Sequence, residues 1–228
     1  MRADRRWSLR NPGFAKEQKI DLAVIGMDDP LVGGLTDILE AEGIRTFGPR
    51  KNAAILEGSK AFSKDLMKKY QIPTAAYENF DNADDALCYL ERASYPIVLK
   101  ADGLALGKGV LICKSFEEAK AGVKEIMLDK KFGASGNTMV VEEFMTGREV
   151  SVLSFVDGKT VKTMTSAQDH KRAKDGDEGP NTGGWGPFLQ VRSIQKKSHG
   201  IVKNISSSRR WMQCARKAGN SKASFSLA

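Results

Sequence analysis

A lysine and a group of glycines lie between two apolar runs near the middle of the chain. The residues that set this segment apart are Lys100, Gly103, Gly107, Lys108 and Gly109. Glycines let backbone N–H groups converge on an anion, and lysines add point charge. The order differs from the GxxxxGK[ST] phosphate loop and from the GxGxxG dinucleotide fingerprint. The spacing predicts a flap between two strands that covers phosphates, and the alternative is a glycine-rich hairpin with a solvated lysine.

Acidic residues follow a second apolar run. Glu142 and Glu143 come directly after Val140 and Val141, and Glu149 follows seven residues after Glu142. A strand end of this kind offers backbone N–H and C=O groups to a purine edge, and a nearby carboxylate accepts hydrogen bonds from ribose hydroxyls. Exposed acids on an edge hairpin are the alternative. Glu142 lies 42 residues after Lys100, and this position after the glycine-rich segment favours binding of a purine nucleotide.

A third segment carries ionisable side chains in succession, over 169–172. It precedes a polar, glycine-rich stretch that contains Asn181 and Gly183. Binding groups concentrate in loops that follow strands. His170 is either a proton carrier or a neutral, hydrogen-bonded side chain, and the sequence does not decide between them.

Short apolar runs alternate with amphipathic segments between residues 14 and 168, which predicts an α/β fold. Asp28 or Asp29 is expected to cap the first helix, and residues 169–187 to form a polar loop. The predicted strands are 21–27, 44–47, 74–79, 95–101, 110–114, 138–144, 148–156 and 159–166, and the predicted helices are those after Pro30, at 52–70, at 82–92 and after Ser115.

The positive charge is concentrated at the two ends of the chain. Lys and Arg number 36 against 28 Asp and Glu, a formal net charge of +8. Residues 189–228 hold nine basic residues and no acidic one, and residues 1–13 hold four Arg, so the body between them is mildly acidic. We expect the C-terminal tail to be disordered, with a docked helix or nucleic-acid attachment as alternatives. Nucleic acid is the least favoured, because no aromatic stacking pattern accompanies the charge.

Several protein classes are excluded by composition. No run approaches the roughly 18–20 apolar residues that span a bilayer, and residues 1–13 lack the apolar core of a secretory signal. Cys88, Cys113 and Cys214 are odd in number and match no metal-ligand spacing. We therefore expect a cytoplasmic protein with no membrane partner, disulfide scaffold or zinc site.

Six stretches between residues 14 and 188 together resemble the phosphoribosylamine–glycine ligase family (glycinamide ribonucleotide synthetase), ATP-grasp enzymes of purine biosynthesis. They are FAKEQKIDLAVIGMDDPLVGGL, FGPRKNAAILEGSKAFSKDLM, IPTAAY, VLKADGLALGKGV, VVEEFMTGREVSV and SAQDHKRAKDGDEGPNTGG. Another ATP-grasp branch, such as a carboxylase, fits less well because DHKR and GPNTGG occur in this order. The resemblance implies four parts: a non-matching N-terminus (1–13), a partial Rossmann-like domain (14–50), a partial ATP-grasp domain (51–188) and the basic tail (189–228).

The resemblance also implies a reaction. The family joins glycine to the amine of 5-phosphoribosylamine while ATP is split to ADP and phosphate. The glycine carboxylate attacks the γ-phosphoryl group, and the amine then displaces phosphate from the resulting glycyl phosphate. Chemistry of this kind depends on neutralising charge at the phosphoryl group more than on acid–base catalysis.

Site residues follow from the same resemblance. Lys60 and Lys100 are expected to contact ATP phosphates, under a flap formed by Gly103, Gly107, Lys108 and Gly109. The adenine site is expected to be lined by Glu142, Glu143, Phe144 and Met145, with Glu149 at the ribose. Catalysis is assigned to Lys171 and Arg172, and substrate binding to Asp169, Asn181 and Gly183.

The resemblance is incomplete at both ends. The family's GGGREH-type glycine loop has no counterpart in residues 1–13, and Trp185 stands where Met is usual. The acidic residue and Asn that ligate magnesium in the family, and its GDPE signature, do not follow Phe188. We therefore expect a truncated monomer, a nucleotide-binding remnant that binds ATP weakly but lacks magnesium ligands and turnover. The alternatives are an active ligase, an unstable product, and a nucleic-acid binder through the tail.

Overall fold

The computed structural model describes the backbone of residues 7–105, 109–147, 150–157, 159–175, 178–189 and 223–227. Side chains are described for residues 12–105, 109–147, 150–157, 159–167 and 174–175. The chain divides into two compact units. The first unit comprises Met1–Ala53 with Gly147–Ala228, and the second unit comprises Ala54–Thr146.

The N-terminal part of the first unit is a small α/β arrangement. Strands β1 (Ala23–Val24) and β2 (Thr46–Phe47) pair in parallel, and a parallel pair needs a crossover connection. Helices α2 (Asp28–Gly33) and α3 (Leu35–Ala41) supply it, after α1 (Trp7–Glu17). This βαβ path confirms the α/β prediction.

The predicted cap of the first helix is wrong in detail. Met27 occupies the N-cap position of α2 and makes no side-chain bond there, while Asp28 and Asp29 lie in the first turn. Carboxylates are favourable in that turn because they face the positive end of the helix dipole. Gly34, at φ 91°, separates α2 from α3, so the single predicted helix is two.

Two antiparallel sheets lie in the described part of the first unit that follows residue 147. Strands β7 (Val152–Val156), β8 (Val161–Thr163) and β11 (Ala223–Leu227) form one, in the order β11-β7-β8. Asp157 begins the turn between β7 and β8, where its Oδ1 accepts hydrogen bonds from the N–H groups of Lys159 and Thr160. Strands β9 (Ala167–Lys174) and β10 (Glu178–Leu189) form the other.

Two sequence predictions are corrected in this region. The predicted loop at 169–187 is largely the β9–β10 hairpin, whose register shifts at three points; backbone hydrogen bonds form there although Gly, Pro and Asn disfavour strands. The predicted disorder of 189–228 fails for β11, which pairs along the length of β7. An unpaired strand edge readily accepts a further strand. Residues 190–222 lie outside the described residues.

The second unit is built on a four-stranded antiparallel sheet in the order β3-β6-β4-β5. Its strands are β3 (Tyr77–Phe80), β4 (Ile97–Ala101), β5 (Val110–Cys113) and β6 (Met139–Glu143). Its helices are α4 (Lys51–Gly58, beginning in the first unit), α5 (Lys60–Lys69), α6 (Ala83–Leu90) and α7 (Phe116–Val123), then a π-helix (Lys124–Leu128) and a 3₁₀ turn (Gly133–Gly136). No helix among the described residues is long and apolar enough to cross a membrane.

The two faces of this sheet differ in character, because successive side chains of a strand point to opposite faces. On one face Leu99, Met139 and Val141 pack with the buried residues of α6 and α7 into the main apolar core. The other face carries Lys100 and Glu142. Helix α5 lies against that second face, where its Asp65 accepts hydrogen bonds from Tyr77 and Asn79 of β3.

The two described thiols are predicted to differ sharply in reactivity. Cys113 is buried on the core face, and burial raises the pKa of its thiol to about 11, whereas Cys88 on α6 is exposed. Only the thiolate is a good nucleophile. Peptide mapping after brief iodoacetamide treatment should find Cys88 alkylated and Cys113 unmodified until urea is added. Equal labelling of both in the folded protein would contradict this placement of Cys113.

Candidate functional site

The base of the glycine-rich flap is held by the ammonium group of Lys60. Its Nζ donates to the backbone carbonyls of Ala101, Asp102 and Gly103 at 2.9, 3.3 and 2.8 Å. Three acceptors match the three hydrogens of an ammonium group. Burial lowers the pKa of Lys60, and the nearby Asp102 carboxylate partly opposes that shift. Lys60 therefore fixes the path of the chain where β4 enters the flap.

Asp102 links the base of the flap to the start of α5. Its Oδ1 accepts hydrogen bonds from Ser59 Oγ (3.0 Å) and from the backbone N–H of Ala61 (2.7 Å). Ser59 is itself the N-cap of α5, with Oγ accepting from Phe62 N–H at 3.0 Å. An anion at a helix N-terminus satisfies unpaired N–H groups and complements the dipole. These bonds place Lys60 and the flap base on one rigid support.

Two flap glycines are required by close packing. A Cβ built on Gly103 would lie 2.4 Å from Ser135 Oγ and 3.3 Å from Ser135 Cα, and one on Gly109 would lie 2.7 Å from Ala105 Cβ. Ala101 N–H also donates to the Gly109 carbonyl at 2.8 Å, closing the base of the flap. The two described glycines thus let the two ends of the flap approach each other and the 3₁₀ turn closely.

The centre of the polar face is a buried carboxylate between two ammonium groups. Glu142 Oε2 lies 2.8 Å from Lys100 Nζ and 3.1 Å from Lys64 Nζ. The side chains of Glu142 and Lys64 are 6% and 9% exposed, while that of Lys100 is 27% exposed. Burial lowers the pKa of Lys64, and Glu142 opposes that shift. The cluster carries one more positive than negative charge, and Lys100 is its accessible member.

An apolar stripe lies beside Lys100 on the same face. The register pairs Lys100 with Val110 and Val98 with Ile112, so both β5 residues share this face. Val110 and Ile112 remain 39% and 43% exposed, although the sheet's opposite face is closely packed. The open half of the face, defined here as Lys100, Val110 and Ile112, therefore offers a cation next to a flat apolar surface. That combination suits a phosphorylated molecule with an aromatic base.

The predicted adenine-site residues are divided between two faces. Glu142 joins Lys100, but alternation along β6 turns Glu143 to the opposite face. There Glu143 Oε1 accepts from Ala76 N–H at 3.1 Å, and Glu143 and Phe144 line a groove of about 840 Å³ beside α6. Met145 is 64% exposed.

The remaining predicted site residues are described partly or not at all. Gly107, Lys108 and Glu149 lie outside the described residues. The substrate-side and catalytic residues have a described backbone only: Asp169, Lys171 and Arg172 lie on β9, and Asn181 and Gly183 lie on β10. Asn181 is the register partner of Arg172. Their predicted roles stay predictions.

Two charged residues of the site, Lys64 and Asp102, were not singled out by the sequence analysis. Both have their partners in other elements, so local spacing does not reveal those partners. One signal was available for Lys64, which lies four residues after Lys60 and therefore on the same side of α5.

Comparison with known proteins places the chain in the ATP-grasp class. The model of the phosphoribosylglycinamide synthetase ATP-grasp (A) domain matches residues 58–209, and the model of the N domain of the same enzyme matches residues 9–57. The chain therefore belongs to the phosphoribosylglycinamide synthetase family.

Individual relatives agree with this assignment. The chain is 50% identical over 187 residues to the phosphoribosylamine–glycine ligase of Halalkalibacterium halodurans, and 47% identical over 186 residues to that of Salmonella typhimurium. These matches cover 81% and 82% of this chain but only 44% and 43% of the relatives. The chain thus spans less than half the length of the curated relatives it matches.

Solved structures show the same fold. The phosphoribosylamine–glycine ligase of Thermotoga maritima superposes with a TM-score of 0.69 at 34% identity, covering 80% of this chain and 46% of the ligase. A biotin carboxylase–β,γ-ATP complex from Campylobacter jejuni gives a TM-score of 0.74 at 15% identity, covering 96% of this chain and 48% of that protein. The second likeness concerns the fold alone.

Proposed function

We propose that this chain binds ATP on the open half of the Lys100 face and serves in a phosphoribosylamine–glycine ligase of purine biosynthesis. The observation that carries the proposal is the pairing of an accessible ammonium group, Lys100, with the exposed apolar stripe of Val110 and Ile112. The ammonium of Lys100 would contact phosphate oxygens, and the stripe would pack against the adenine ring. Family membership and the ligase names of the relatives support the same reaction.

In this proposal the residues of the second unit bind and orient ATP. The flap, based on Gly103 and Gly109, would cover the phosphates and exclude water from the transferring phosphoryl group. Lys60 holds the flap base through three carbonyls, so a direct phosphate contact requires it to release one of them. The β9 and β10 residues Lys171, Arg172 and Asn181 are proposed to face glycine and the phosphoribosylamine.

The described side chains define no complete ligand set for magnesium, since no group of three or more His, Cys, Asp or Glu comes together among them. The two carboxylates nearest the site each have one oxygen engaged, Asp102 Oδ1 at the start of α5 and Glu142 Oε2 with two ammonium groups. The proposal therefore routes no step through a metal ion.

Calorimetric titration with ATP tests the proposal. The wild-type chain should release heat at millimolar ATP, and Lys100→Met should weaken binding about tenfold to hundredfold, because a charge-assisted hydrogen bond to phosphate is lost. Lys120→Met is the matched control: it removes an exposed lysine from α7, which packs on the opposite face, and should change affinity less than about twofold. Absence of heat from the wild-type chain, or equal effects of both substitutions, would overturn the proposal.

A further inference from the structure

The second unit holds a buried lysine that the proposed function leaves without a role. Lys64 lies on α5 behind Glu142, and its side chain is 9% exposed. We propose that Lys64 is a positioning residue that occupies Glu142, so that Glu142 does not neutralise Lys100 toward the phosphates of a bound nucleotide. The inference rests on the proposed nucleotide site and assigns that site a charge-setting residue.

The geometry gives Lys64 a fully satisfied ammonium group. Its Nζ lies 2.8 Å from Thr74 Oγ1, 3.4 Å from the Ala75 carbonyl and 3.1 Å from Glu142 Oε2. An ammonium group has three hydrogens to donate, which matches these three partners, and the carboxylate of Glu142 favours the charged form of Lys64. The ring of Tyr77, 5.6 Å from Nζ, adds a further favourable surface for a cation.

The charge balance explains what this arrangement does for Lys100. Both ammonium groups contact the same carboxylate oxygen, Glu142 Oε2. With Lys64 absent, Glu142 and Lys100 would form a neutral pair, and an incoming phosphate would compete with the carboxylate for Lys100. With Lys64 present, the carboxylate charge is shared, and the cluster keeps one net positive charge beside the most exposed of its members, Lys100.

A lysine with a purely structural role would not need to share the carboxylate of Glu142 with Lys100. Burying an ion pair is often no better for stability than burying apolar groups of the same volume. A third charge in the cluster adds a desolvation cost without closing a further pair. A net positive cluster is instead what binding of an anion requires, because the anion completes the charge balance on arrival.

The test varies the net charge of the cluster and measures the preference for phosphate. We define the preference ratio as the dissociation constant for adenosine divided by that for ADP, measured by calorimetry on the full chain. Lys64→Met brings the net charge to zero and should lower the ratio about tenfold. The double variant Lys64→Met with Glu142→Gln restores one net positive charge and should return the ratio to within about twofold of wild type. Glu142→Gln alone leaves two positive charges and should raise the ratio above wild type.

The control and the readout separate charge from folding. Lys69→Met removes an exposed lysine from the same helix and should leave the ratio within about twofold. The ratio does not depend on the folded fraction of a sample, and any two folded variants of different net charge suffice. A ratio that does not follow net charge, in a wild-type chain that binds ADP, would overturn the inference alone. Failure of the wild-type chain to bind ADP at all would remove the proposed function and the inference together.

Discussion

Replacing Glu142 by Gln is expected to lower the free energy of unfolding of the second unit by about 3–5 kcal/mol. The substitution preserves size but removes the single negative charge that lies between Lys64 and Lys100. Because Lys64 is almost fully buried, its ammonium group would be left without a counter-ion in a poorly hydrated place. Urea titration followed by circular dichroism measures the change.

Two variants show whether charge is the cause. Glu143→Gln changes the neighbouring residue, whose carboxylate is exposed and accepts one backbone N–H, and should alter stability by less than about 0.5 kcal/mol. Adding Lys64→Met to Glu142→Gln removes the uncompensated buried cation and should recover most of the loss. Equal stability of Glu142→Gln and the wild-type chain would contradict the placement of Glu142 between two ammonium groups.

Local signals predicted the elements of the second unit closely. The strand predicted at 110–114 is found as Val110–Cys113, because a continuous apolar run favours a strand. Ser115 caps α7 by accepting a hydrogen bond from Glu118 N–H, so the helix begins after Ser115 as predicted. The two strands on either side of the glycine-rich segment were therefore positioned correctly from adjacent residues.

The helix predicted at 52–70 shows where local reasoning fails. It is two helices, because Ser59 caps α5 and receives help from Asp102, which lies far along the chain. Within these two helices Ile55 and Phe62 are exposed, whereas Lys64 is buried. A lysine at a buried position is stable only with its partners, and they belong to β6 and to the segment before β3.

The candidate site was predictable only in part, because residues that come together from different strands give no local signal. Lys100 was identified because glycines and lysine lie together in one short segment. The sequence predicts a strand through Val110 and Ile112, the exposed apolar neighbours of this lysine. It does not predict that they share a face with Lys100, since strand register decides this. The split between Glu142 and Glu143 likewise follows from the alternation of β6 within the sheet.

Replacing Gly136 by Ala is expected to destabilise the second unit by about 3 kcal/mol or more. A Cβ at this position would lie 2.1 Å from the backbone carbonyl oxygen of Ile126, in the π-helix that follows α7. Ile126 is fully buried, and a backbone oxygen cannot rotate aside as a side chain does. The strain would separate the 3₁₀ turn from the π-helix, and through Ser135, whose carbonyl accepts from Asp102 N–H, it would loosen the flap base.

Gly33→Ala is the control, because nothing lies within 4 Å of its Cβ position and alanine favours the helix α2. Thermal melts should show a large drop for Gly136→Ala and none for Gly33→Ala, and a Gly136→Ala melt at the wild-type temperature would contradict the close approach of these two backbone segments.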